Sequence, residues 1–283
     1  MPFQVGLQCS IGVGEARSGR AVHEDNYLVG VGGRVFWREG DIDVYEDHGA
    51  NGSLFAVFDG MGGPRRGDVV AATAARVLSK LYRPGVVVDP PRTLRSFLLE
   101  AHARLHARER SGGTVQLGTT VTGAWVHGPV CSWVQIGDSR LYRWREGRLE
   151  RFGRDQTHAE FARRDRRIAG AEAQQLAQYF VYGSRGLGDD ANLRLDAGVD
   201  NGSFVIAPGD QLFLCTDGVW AWVEESMIAE ILLDAQDAQE AATAATEIAI
   251  ARGSTDNLTA LVVRVEGLEE VGEYAAELDP SVA

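Results

Sequence analysis

The sequence predicts an α+β layered domain in which antiparallel sheets are covered by helices. Strand-like and helix-like segments come in blocks and do not alternate strictly, which disfavours a parallel sheet built from βαβ units. Turn signals between neighbouring strand-like segments indicate hairpins, and pairs of helical segments follow the early strands and the late strands. Because a sheet that is apolar on both faces must be covered on both, we expect one helix pair on each outer face.

The first elements are a buried strand and an amphipathic helix. SLFAVF, at 53–58, predicts the strand, and apolar residues then recur at helical spacing from Val70 to Leu81. The Pro84-Gly85 pair ends this helix. The later elements are predicted, in order, as a helix over 94–105, hairpin strands over 118–152 with turns at 127–129 and 146–147, a polar helix over about 157–180, strands at 193–199 and 210–220, helices at about 224–233 and 238–252, and a last strand at 257–265.

The composition predicts an ordinary globular protein with enough apolar residues for a large core. Hydrophobic residues make up 45% of the 283 residues, and no apolar run approaches the roughly 18 residues of a membrane span. The 28 basic and 40 acidic residues give a net charge of −12, which argues against nonspecific nucleic-acid binding. The first residues lack the pattern of a signal peptide, and the 3 cysteines form no CxxC pair, so we expect reduced thiols in a cytoplasmic protein.

Short acidic motifs lie where the apolar strands begin or end. They are HEDNY with Glu24 and Asp25, FDG with Asp59, IGDSR with Asp138, CTDGVW with Asp217, and STDNLT with Asp256. A buried carboxylate is unfavourable unless it is paired or bound to a metal, and Mg²⁺ and Mn²⁺ prefer oxygen ligands. If these strand ends converge, they predict a site for such a cation. Taken singly, Asp-Gly is more often a simple turn, GDS and TDN are turn or helix-cap signals just as often, and Glu-Asp is usually a solvated surface.

Several motifs follow one another from Arg20 to Val263. They are RAVHEDN, VFDGMGG, GTT, IGDSRLYR, RDQT, SRGLG, LFLCTDGVW and STDNLTALVV. This ordered set resembles the metal-dependent PP2C-like (PPM) family of Ser/Thr protein phosphatases, and DGMGG resembles its bacterial branch. The resemblance implies a β-sandwich of two antiparallel sheets flanked by helix pairs, a four-layer αββα fold. It places the phosphatase domain at 1–266, a flap at about 155–188 and an acidic tail at 267–283.

The resemblance also implies a role for each matching residue. Asp59 would bridge two Mn²⁺ or Mg²⁺ ions, and the Gly60 carbonyl would be a ligand of one of them. Glu24 would hold the second ion, together with Asp25 acting directly or through water. A glycine-rich turn after the strand lets the backbone present a carbonyl and lets metal-bound water approach.

The later motifs complete this implied centre. Asp217 and Asp256 would hold the first ion, and Asp138 with Asp217 would hold a weaker third one. Arg20 would grip the substrate phosphate with its planar fork of donors. A hydroxide shared by the two main ions would then attack phosphorus in line, and no phosphoenzyme would form.

Two positions depart from the family pattern. Relatives from eukaryotes often have a histidine just after DG, interpreted as a general acid, whereas this chain has Met61. The position four residues after Asp217 is often aspartate but here is Ala221, which is expected to weaken the binding of outer water molecules around the metals. Since every direct-ligand position is filled, the sequence does not predict a pseudoenzyme.

The implied function is a Mg²⁺- or Mn²⁺-dependent phosphatase acting on phosphoserine and phosphothreonine in proteins. It would oppose a bacterial Ser/Thr kinase, act on that kinase or its substrates, and be a monomer. One alternative is a noncatalytic module of the same fold that binds phosphoproteins. The other is a phosphatase for small phosphoesters, which needs the same metal site.

Two surface features receive no firm assignment from the sequence. The flap contains a group of arginines, which form either a solvated helix face or a patch that attracts acidic phosphopeptides. These are Arg163, Arg164, Arg166 and Arg167, and Arg65 and Arg66 are similar candidates. The polar segment 32–53 predicts a hairpin with an extended surface loop and no identified function.

Overall fold

The structure is a computed structural model that describes residues 2–14, 19–40, 42–47, 52–61, 67–83, 89–110, 118–157 and 199–268. In chain order its elements are β1 (Phe3–Ser10), β2 (Asn26–Val31), β3 (Arg34–Glu39), β4 (Ile42–Asp47), β5 (Ser53–Phe58), β6 (Gly60–Met61), α1 (Gly67–Leu78), a 3₁₀ turn (Ser79–Tyr82), α2 (Pro90–Arg110), β7 (Gly118–Thr119), β8 (Val121–His127), β9 (Val130–Ile136), β10 (Arg140–Arg145), β11 (Arg148–Phe152), β12 (Asp200–Val205), β13 (Gln211–Cys215), α3 (Asp217–Trp220), α4 (Glu225–Asp234), α5 (Ala238–Ala251) and β14 (Leu258–Val265). None of the helices in these ranges has the length and apolar character needed to cross a membrane.

The strands form two main antiparallel sheets. β5 lies in the middle of a seven-stranded sheet with the order β12-β9-β8-β5-β2-β3-β4. β13 lies in the middle of a five-stranded sheet with the order β1-β14-β13-β10-β11. A short ladder joins β6 to β7, where Gly60 pairs with Thr119. The antiparallel pairing predicted from the block order of the elements is therefore confirmed.

Three apolar clusters fill the spaces between four layers. The middle cluster lies between the sheets and includes Phe55 and Leu214. α1 and α2 share an outer cluster with Trp125 of the seven-stranded sheet. α4 and α5 share the other outer cluster with Phe213 of the five-stranded sheet. The expected helix pair on each outer face is present, and the fold is the four-layer αββα arrangement.

The register of the strands brings the acidic motifs to one end of the sandwich. At the start of β2, Asn26 pairs with Phe58 at the end of β5, so the residues just before β2 and just after β5 are neighbours. In the other sheet, Cys215 at the end of β13 pairs with both Arg140 and Ala260. The segments around Asp138, Asp217 and Asp256 therefore meet at the corresponding end.

Two elements of the five-stranded sheet differ from the sequence prediction. β1 was not predicted, because glutamines and Gly6 interrupt its apolar pattern. Gly6 is required there, since a Cβ at this position would lie 2.0 Å from the carbonyl oxygen of Ala238 in α5. The predicted strand over 210–220 ends at Cys215, and Asp217–Trp220 form the short helix α3. Gly218 packs closely against the main chain of Asn257 at this turn. A Cβ on Gly218 would lie 1.9 Å from the Asn257 carbonyl oxygen.

Some predictions fall wholly or partly on residues outside the described ranges. The hairpin predicted within 32–53 is present as β3 and β4, and its following loop is not covered. The first helix ends at Leu78 and continues as the 3₁₀ turn, so it stops before the Pro84-Gly85 pair that was expected to end it. The helix over about 157–180, the strand at 193–199, most of the flap and most of the acidic tail lie outside the described residues.

Candidate metal centre

Asp59 follows the buried strand β5 directly and is fixed by its own main chain. The Thr120 N–H donates to the Asp59 carbonyl oxygen at 2.9 Å. In return the Asp59 N–H donates to the Thr120 hydroxyl at 2.9 Å, and that hydroxyl also lies 2.7 Å from the Ser139 hydroxyl. The carboxylate is therefore held at the end of the strand by the GTT motif, which is itself hydrogen-bonded to the residue after Asp138.

Glu24 lies where Gly60, the residue after Asp59, meets the start of α1. The Gly67 N–H donates to Glu24 Oε1 at 3.2 Å, and the Glu24 N–H donates to Asn257 Oδ1 at 2.8 Å. The backbones of Gly60 and Gly67 touch here, since a Cβ on Gly60 would lie 2.1 Å from the Gly67 carbonyl oxygen. Only glycine at these positions allows so close an approach.

Asp25 is a buried carboxylate with two hydroxyl donors. Thr216 and Thr259 each donate to its Oδ2 at 2.8 Å. Burial raises the pKa of Asp25 to about 8; the two hydroxyl groups oppose this shift, and the charges of Asp256 and Asp217 add to it. The side chain is thus oriented firmly, and neutralising its charge would be favourable.

Asp138 and Asp217 are both buried, and each has an oxygen without a hydrogen-bond partner among the described residues. Asp138 follows β9, and Asp217 is the first residue of α3. The orphan atoms are Asp138 Oδ2 and Asp217 Oδ1. A buried carboxylate oxygen without a partner is unfavourable, and it is the kind of atom that a cation would complement.

Asp256 is engaged by Arg20. The guanidinium donates from Nε to Oδ1 at 2.8 Å and from Nη2 to Oδ2 at 3.0 Å, which makes a bidentate pair. The Asn257 N–H also donates to Oδ1 at 2.8 Å. Both side chains are partly exposed, so this pair lies at the open side of the cluster.

The pKa shifts show that these carboxylates lie within electrostatic reach of one another. Burial raises the pKa of Asp59 well above its ordinary value, and the charges of Asp217, Asp25, Asp256 and Asp138 raise it further. The pKa of Asp138 is likewise raised by burial and then by Asp217. Like charges at such a site disfavour one another unless a proton or a cation is shared between them.

Glu24 belongs to the same cluster, and its surroundings both raise and lower its pKa. Burial raises its pKa, the Gly67 N–H and the Arg20 charge lower it, and Asp68 and Asp256 raise it again. Every carboxylate that the acidic motifs supplied, from Glu24 to Asp256, therefore lies at this end of the sandwich. The convergence on which the metal prediction depended is present.

The chemistry of the cluster fits a hard divalent cation, although the side chains are not closed around one. Within the described ranges, no three His, Cys, Asp or Glu side chains are arranged so as to hold a metal ion as they stand. Asp256, in particular, is paired with Arg20. The fit rests on the donor type, on the orphan oxygens of Asp138 and Asp217, and on the burial and neighbouring negative charges that raise the pKa of Asp59.

The structure reveals supporting residues that the sequence analysis did not single out. Thr216 and Thr259 hold Asp25, and Asn257 links Glu24 to the Val22 carbonyl. Asp68, at the start of α1, acts on Glu24 through its charge. Each stands within or close to a quoted motif, so proximity to a motif was the available signal. The flap arginines, and Arg65 and Arg66, lie outside the described residues.

The fold and this cluster together define a class, a four-layer αββα domain with an acidic centre at one end of its β-sandwich. Comparison with known proteins then gives the family. The family described as protein phosphatase 2C matches residues 43–261. The chain belongs to the protein phosphatase 2C family.

The sequence identity between this chain and individual relatives is low. Serine/threonine protein phosphatase PstP of Mycobacterium tuberculosis (strain H37Rv) is 28% identical over 217 residues, which are 76% of this chain and 41% of PstP. Serine/threonine phosphatase stp of Listeria monocytogenes (EGD-e) is 26% identical over 220 residues, which are 75% of this chain and 84% of stp. The chain thus spans less than half of the mycobacterial relative and most of the listerial one.

Solved structures agree with the fold. The crystal structure of M. tuberculosis PstP has a TM-score of 0.75 and 24% identity, and it covers 94% of this chain and 100% of that one. The PstP catalytic domain in complex with two manganese ions has a TM-score of 0.71 and 24% identity, over 94% of this chain and 99% of that one. These likenesses support the four-layer architecture.

Proposed function

We propose that the chain is a metal-dependent protein serine/threonine phosphatase. The observation that carries the proposal is the convergence of Asp59, Asp138 and Asp217 with Asp25 and Asp256 at one end of the sandwich. Membership of the protein phosphatase 2C family and the names of its bacterial relatives support the same activity.

Glu24, Asp25, Asp59, the Gly60 carbonyl, Asp138, Asp217 and Asp256 are the residues that would hold Mn²⁺ or Mg²⁺. When bound, such ions acidify a water molecule for attack on phosphorus and neutralise phosphate oxygens. The protein's part is to fix the ligands before the ions arrive. β5 and Thr120 hold Asp59, and the two threonine hydroxyls hold Asp25.

Arg20 is the residue that would bind the substrate phosphate. Its fork already holds two oxygens of one carboxylate at 2.8 and 3.0 Å, and a phosphate monoester presents oxygens that the same fork can hold. The side chain is 43% exposed, so a substrate can reach it from solvent. The guanidinium would orient the phosphate next to the carboxylate cluster.

A covalent route through a cysteine is disfavoured by the same structure. Cys215 lies closest in sequence to the cluster, but burial raises the pKa of its thiol to about 12. A thiol in that environment stays protonated and is a poor nucleophile. In keeping with the family resemblance, we propose direct hydrolysis without a phosphoenzyme. Met61 offers no proton for the leaving group, so that proton must come from water or another residue.

The proposal has four further parts that follow from the sequence analysis. The phosphatase domain comprises 1–266, with the flap at about 155–188 and the acidic tail at 267–283. The substrates are phosphorylated proteins, in a system where a bacterial Ser/Thr kinase adds the phosphate. The chain works as a monomer. The unpaired thiols of Cys9, Cys131 and Cys215 fit a location in the cytoplasm.

The test is hydrolysis of p-nitrophenyl phosphate by the full chain with Mn²⁺, with Mg²⁺ and with EDTA. We expect turnover with a metal ion, none in EDTA, and a loss of at least about 100-fold in Asp217→Asn. Asp47→Asn, which removes a charge from an exposed strand, is the matched control and should keep full activity. Absence of turnover with either metal, in folded protein, would favour the noncatalytic phosphoprotein-binding module.

A second substrate separates the two catalytic alternatives. A phosphothreonine peptide should be hydrolysed with a higher kcat/KM than p-nitrophenyl phosphate if phosphoproteins are the natural substrates. A preference for small phosphoesters would keep the metal mechanism and replace the substrate class.

A further inference from the structure

Arg140 is a mostly buried arginine that stacks on an aromatic ring beside the carboxylate cluster. Its guanidinium carbon lies 3.4 Å from the centroid of the Trp220 ring. It also makes a bidentate pair with Asp155, from Nε to Oδ1 at 3.1 Å and from Nη2 to Oδ2 at 2.7 Å. The Arg140 side chain is only 13% exposed, so solvent screens this ion pair less than it screens a pair on the surface.

Trp220 connects Asp138 and Asp217, which each have an oxygen without a hydrogen-bond partner among the described residues. Its indole N–H donates to the carbonyl oxygen of Asp138 at 2.9 Å. Trp220 is also the last residue of α3, the single helical turn that begins at Asp217. One side chain therefore fixes the main chain of Asp138 and the turn that presents Asp217.

The other side of Arg140 is held equally firmly. Its Nη1 donates to the Tyr142 hydroxyl at 3.1 Å, and that hydroxyl donates to Glu225 Oε1 at 3.3 Å. Arg151 also pairs with Asp155. The guanidinium thus has a partner on each edge and an aromatic ring on one face, which leaves it a single position.

The same hydrogen-bond network includes the first residues of the predicted flap. Asp155 and Gln156 belong to the RDQT motif. The Gln156 N–H donates to the Gly137 carbonyl at 2.9 Å, and the Gly137 N–H donates to Gln156 Oε1 at 3.2 Å. Gly137 directly precedes Asp138. The start of the flap is therefore joined to Asp138 through the main chain and to Trp220 through Arg140.

We propose that Arg140 is a positioning residue for the metal ligands Asp138 and Asp217, and that it acts through Trp220. Stacking on the guanidinium sets the position of the indole, and the indole sets the Asp138 carbonyl and the α3 turn. The inference rests on the proposed function, because it concerns the ligands of that same site. It adds a residue that touches neither metal nor substrate.

The geometry requires an arginine here. A lysine would keep the charge but would lose both the planar face that stacks on the indole and the second donor to Asp155. Residues that orient metal ligands typically change metal affinity by about 10- to 100-fold when they are replaced. We therefore expect Arg140→Lys to weaken Mn²⁺ binding about 10-fold at the site formed by Asp138 and Asp217.

The test is Mn²⁺ binding to the full chain, measured from the electron paramagnetic resonance signal of free Mn²⁺, with thermal unfolding in EDTA as a check of folding. The variants are Arg140→Lys and Trp220→Phe, which keeps an aromatic ring but removes the N–H donor to Asp138. Arg143→Lys is the matched control, because Arg143 lies on the same strand and contacts Phe152 and Phe204, away from the cluster. The double variant Arg140→Lys with Trp220→Phe completes the cycle.

Support for the inference would be weaker Mn²⁺ binding in both single variants, no further weakening in the double variant, and wild-type binding in Arg143→Lys. A Mn²⁺ affinity within about twofold of wild type in folded Arg140→Lys would overturn it. Additive effects in the double variant would overturn the route through Trp220. If wild-type protein neither binds Mn²⁺ nor hydrolyses phosphate esters, the proposed function fails as well; if wild type does both, an unaffected Arg140→Lys refutes this inference alone.

Discussion

Arg20 holds both carboxylate oxygens of Asp256, although the two residues are 236 positions apart in the chain. One partner of this pair is the proposed phosphate-binding residue and the other is a proposed metal ligand. Asp256 therefore occupies the guanidinium N–H groups that would bind phosphate. In turn, Arg20 occupies the carboxylate oxygens that would bind a metal ion. A phosphate would compete with Asp256 for the guanidinium, and a metal ion would compete with Arg20 for the carboxylate.

Replacement of Arg20 separates these two roles. In Arg20→Ala we expect the KM for p-nitrophenyl phosphate to rise about 10-fold or more, because a charge-assisted bidentate contact is lost. We expect Mn²⁺ binding to become tighter, because the cation no longer competes with a guanidinium for Asp256. Steady-state kinetics and Mn²⁺ titration measure the two effects. Arg34→Ala, which breaks an exposed pair with Asp47, is the control and should change neither; weaker Mn²⁺ binding in Arg20→Ala would contradict the competition.

The metal-free protein should lose stability as the pH rises. Burial and neighbouring carboxylates raise the pKa of Asp25 to about 8 and that of Asp217 to about 7, whereas the unfolded chain has values of about 4. The folded state therefore binds these protons more tightly, so this contribution to stability is present below pH about 4 and is lost as the pH rises through about 7 to 8. Urea unfolding in EDTA between pH about 5 and 9 measures the slope of the free energy of unfolding against pH.

Two controls identify the source of that slope. Added Mn²⁺ should restore stability mainly at the higher pH values, because the cation replaces the protons. Asp217→Asn should flatten the profile in EDTA, because one of the titrating groups is gone. A metal-free wild type whose free energy of unfolding increased across this range would show that the cluster does not hold protons as described.

The hydroxyl groups around Asp25 should be important for stability. Thr259 is fully buried and donates to Asp25 Oδ2 at 2.8 Å. Thr259→Val keeps the shape but removes the donor, so a buried carboxylate loses one of its two hydroxyl partners. We expect a loss of about 1–3 kcal/mol in the free energy of unfolding. Thr259→Ser keeps the donor and should recover most of the loss in urea unfolding at the same pH; equal losses in both variants would indicate packing as the cause.

Gly67 should be needed for metal binding as well as for folding. A Cβ at this position would lie 2.5 Å from the Gly60 carbonyl oxygen and 2.9 Å from the Glu24 carboxyl carbon. Gly67→Ala should therefore push apart two proposed ligands and weaken Mn²⁺ binding about 10-fold or more, measured by calorimetric titration. Gly123→Ala is the control, since its nearest neighbours would be 3.6 Å away. Unchanged Mn²⁺ affinity in Gly67→Ala would indicate that Glu24 and Gly60 are not ligands of the metal.

The sequence predicted the strand at 53–58 and the aspartate at its end because both signals are local. A run of apolar residues indicates burial, and DGMGG indicates an abrupt turn. The set of acidic residues could also be predicted, because each stands next to a strand and their order resembles a family. Whether each of these residues binds a metal remains a prediction.

The pairings within the cluster could not be predicted in the same way. Stacking of Arg140 on Trp220, and the pair of Arg20 with Asp256, depend on strand register between segments that are remote in sequence. β1 was not predicted, because Gly6 stands where a strand usually has a larger side chain. This glycine lets the outer face of β1 pack closely on α5. These features belong to tertiary packing, which no window of neighbouring residues contains.

The cluster draws its members from positions 20 to 256, and β14, which follows Asp256, lies between β1 and β13. The proposed metal centre is therefore complete only after Asp256 and β14 have been synthesised, because every other acidic motif precedes them in the sequence. A nascent chain that has not yet reached Asp256 would lack one proposed ligand and the strand that joins β1 to β13. We expect a protease cut that releases β14 to abolish the proposed activity, even if the cut lies outside the carboxylate cluster.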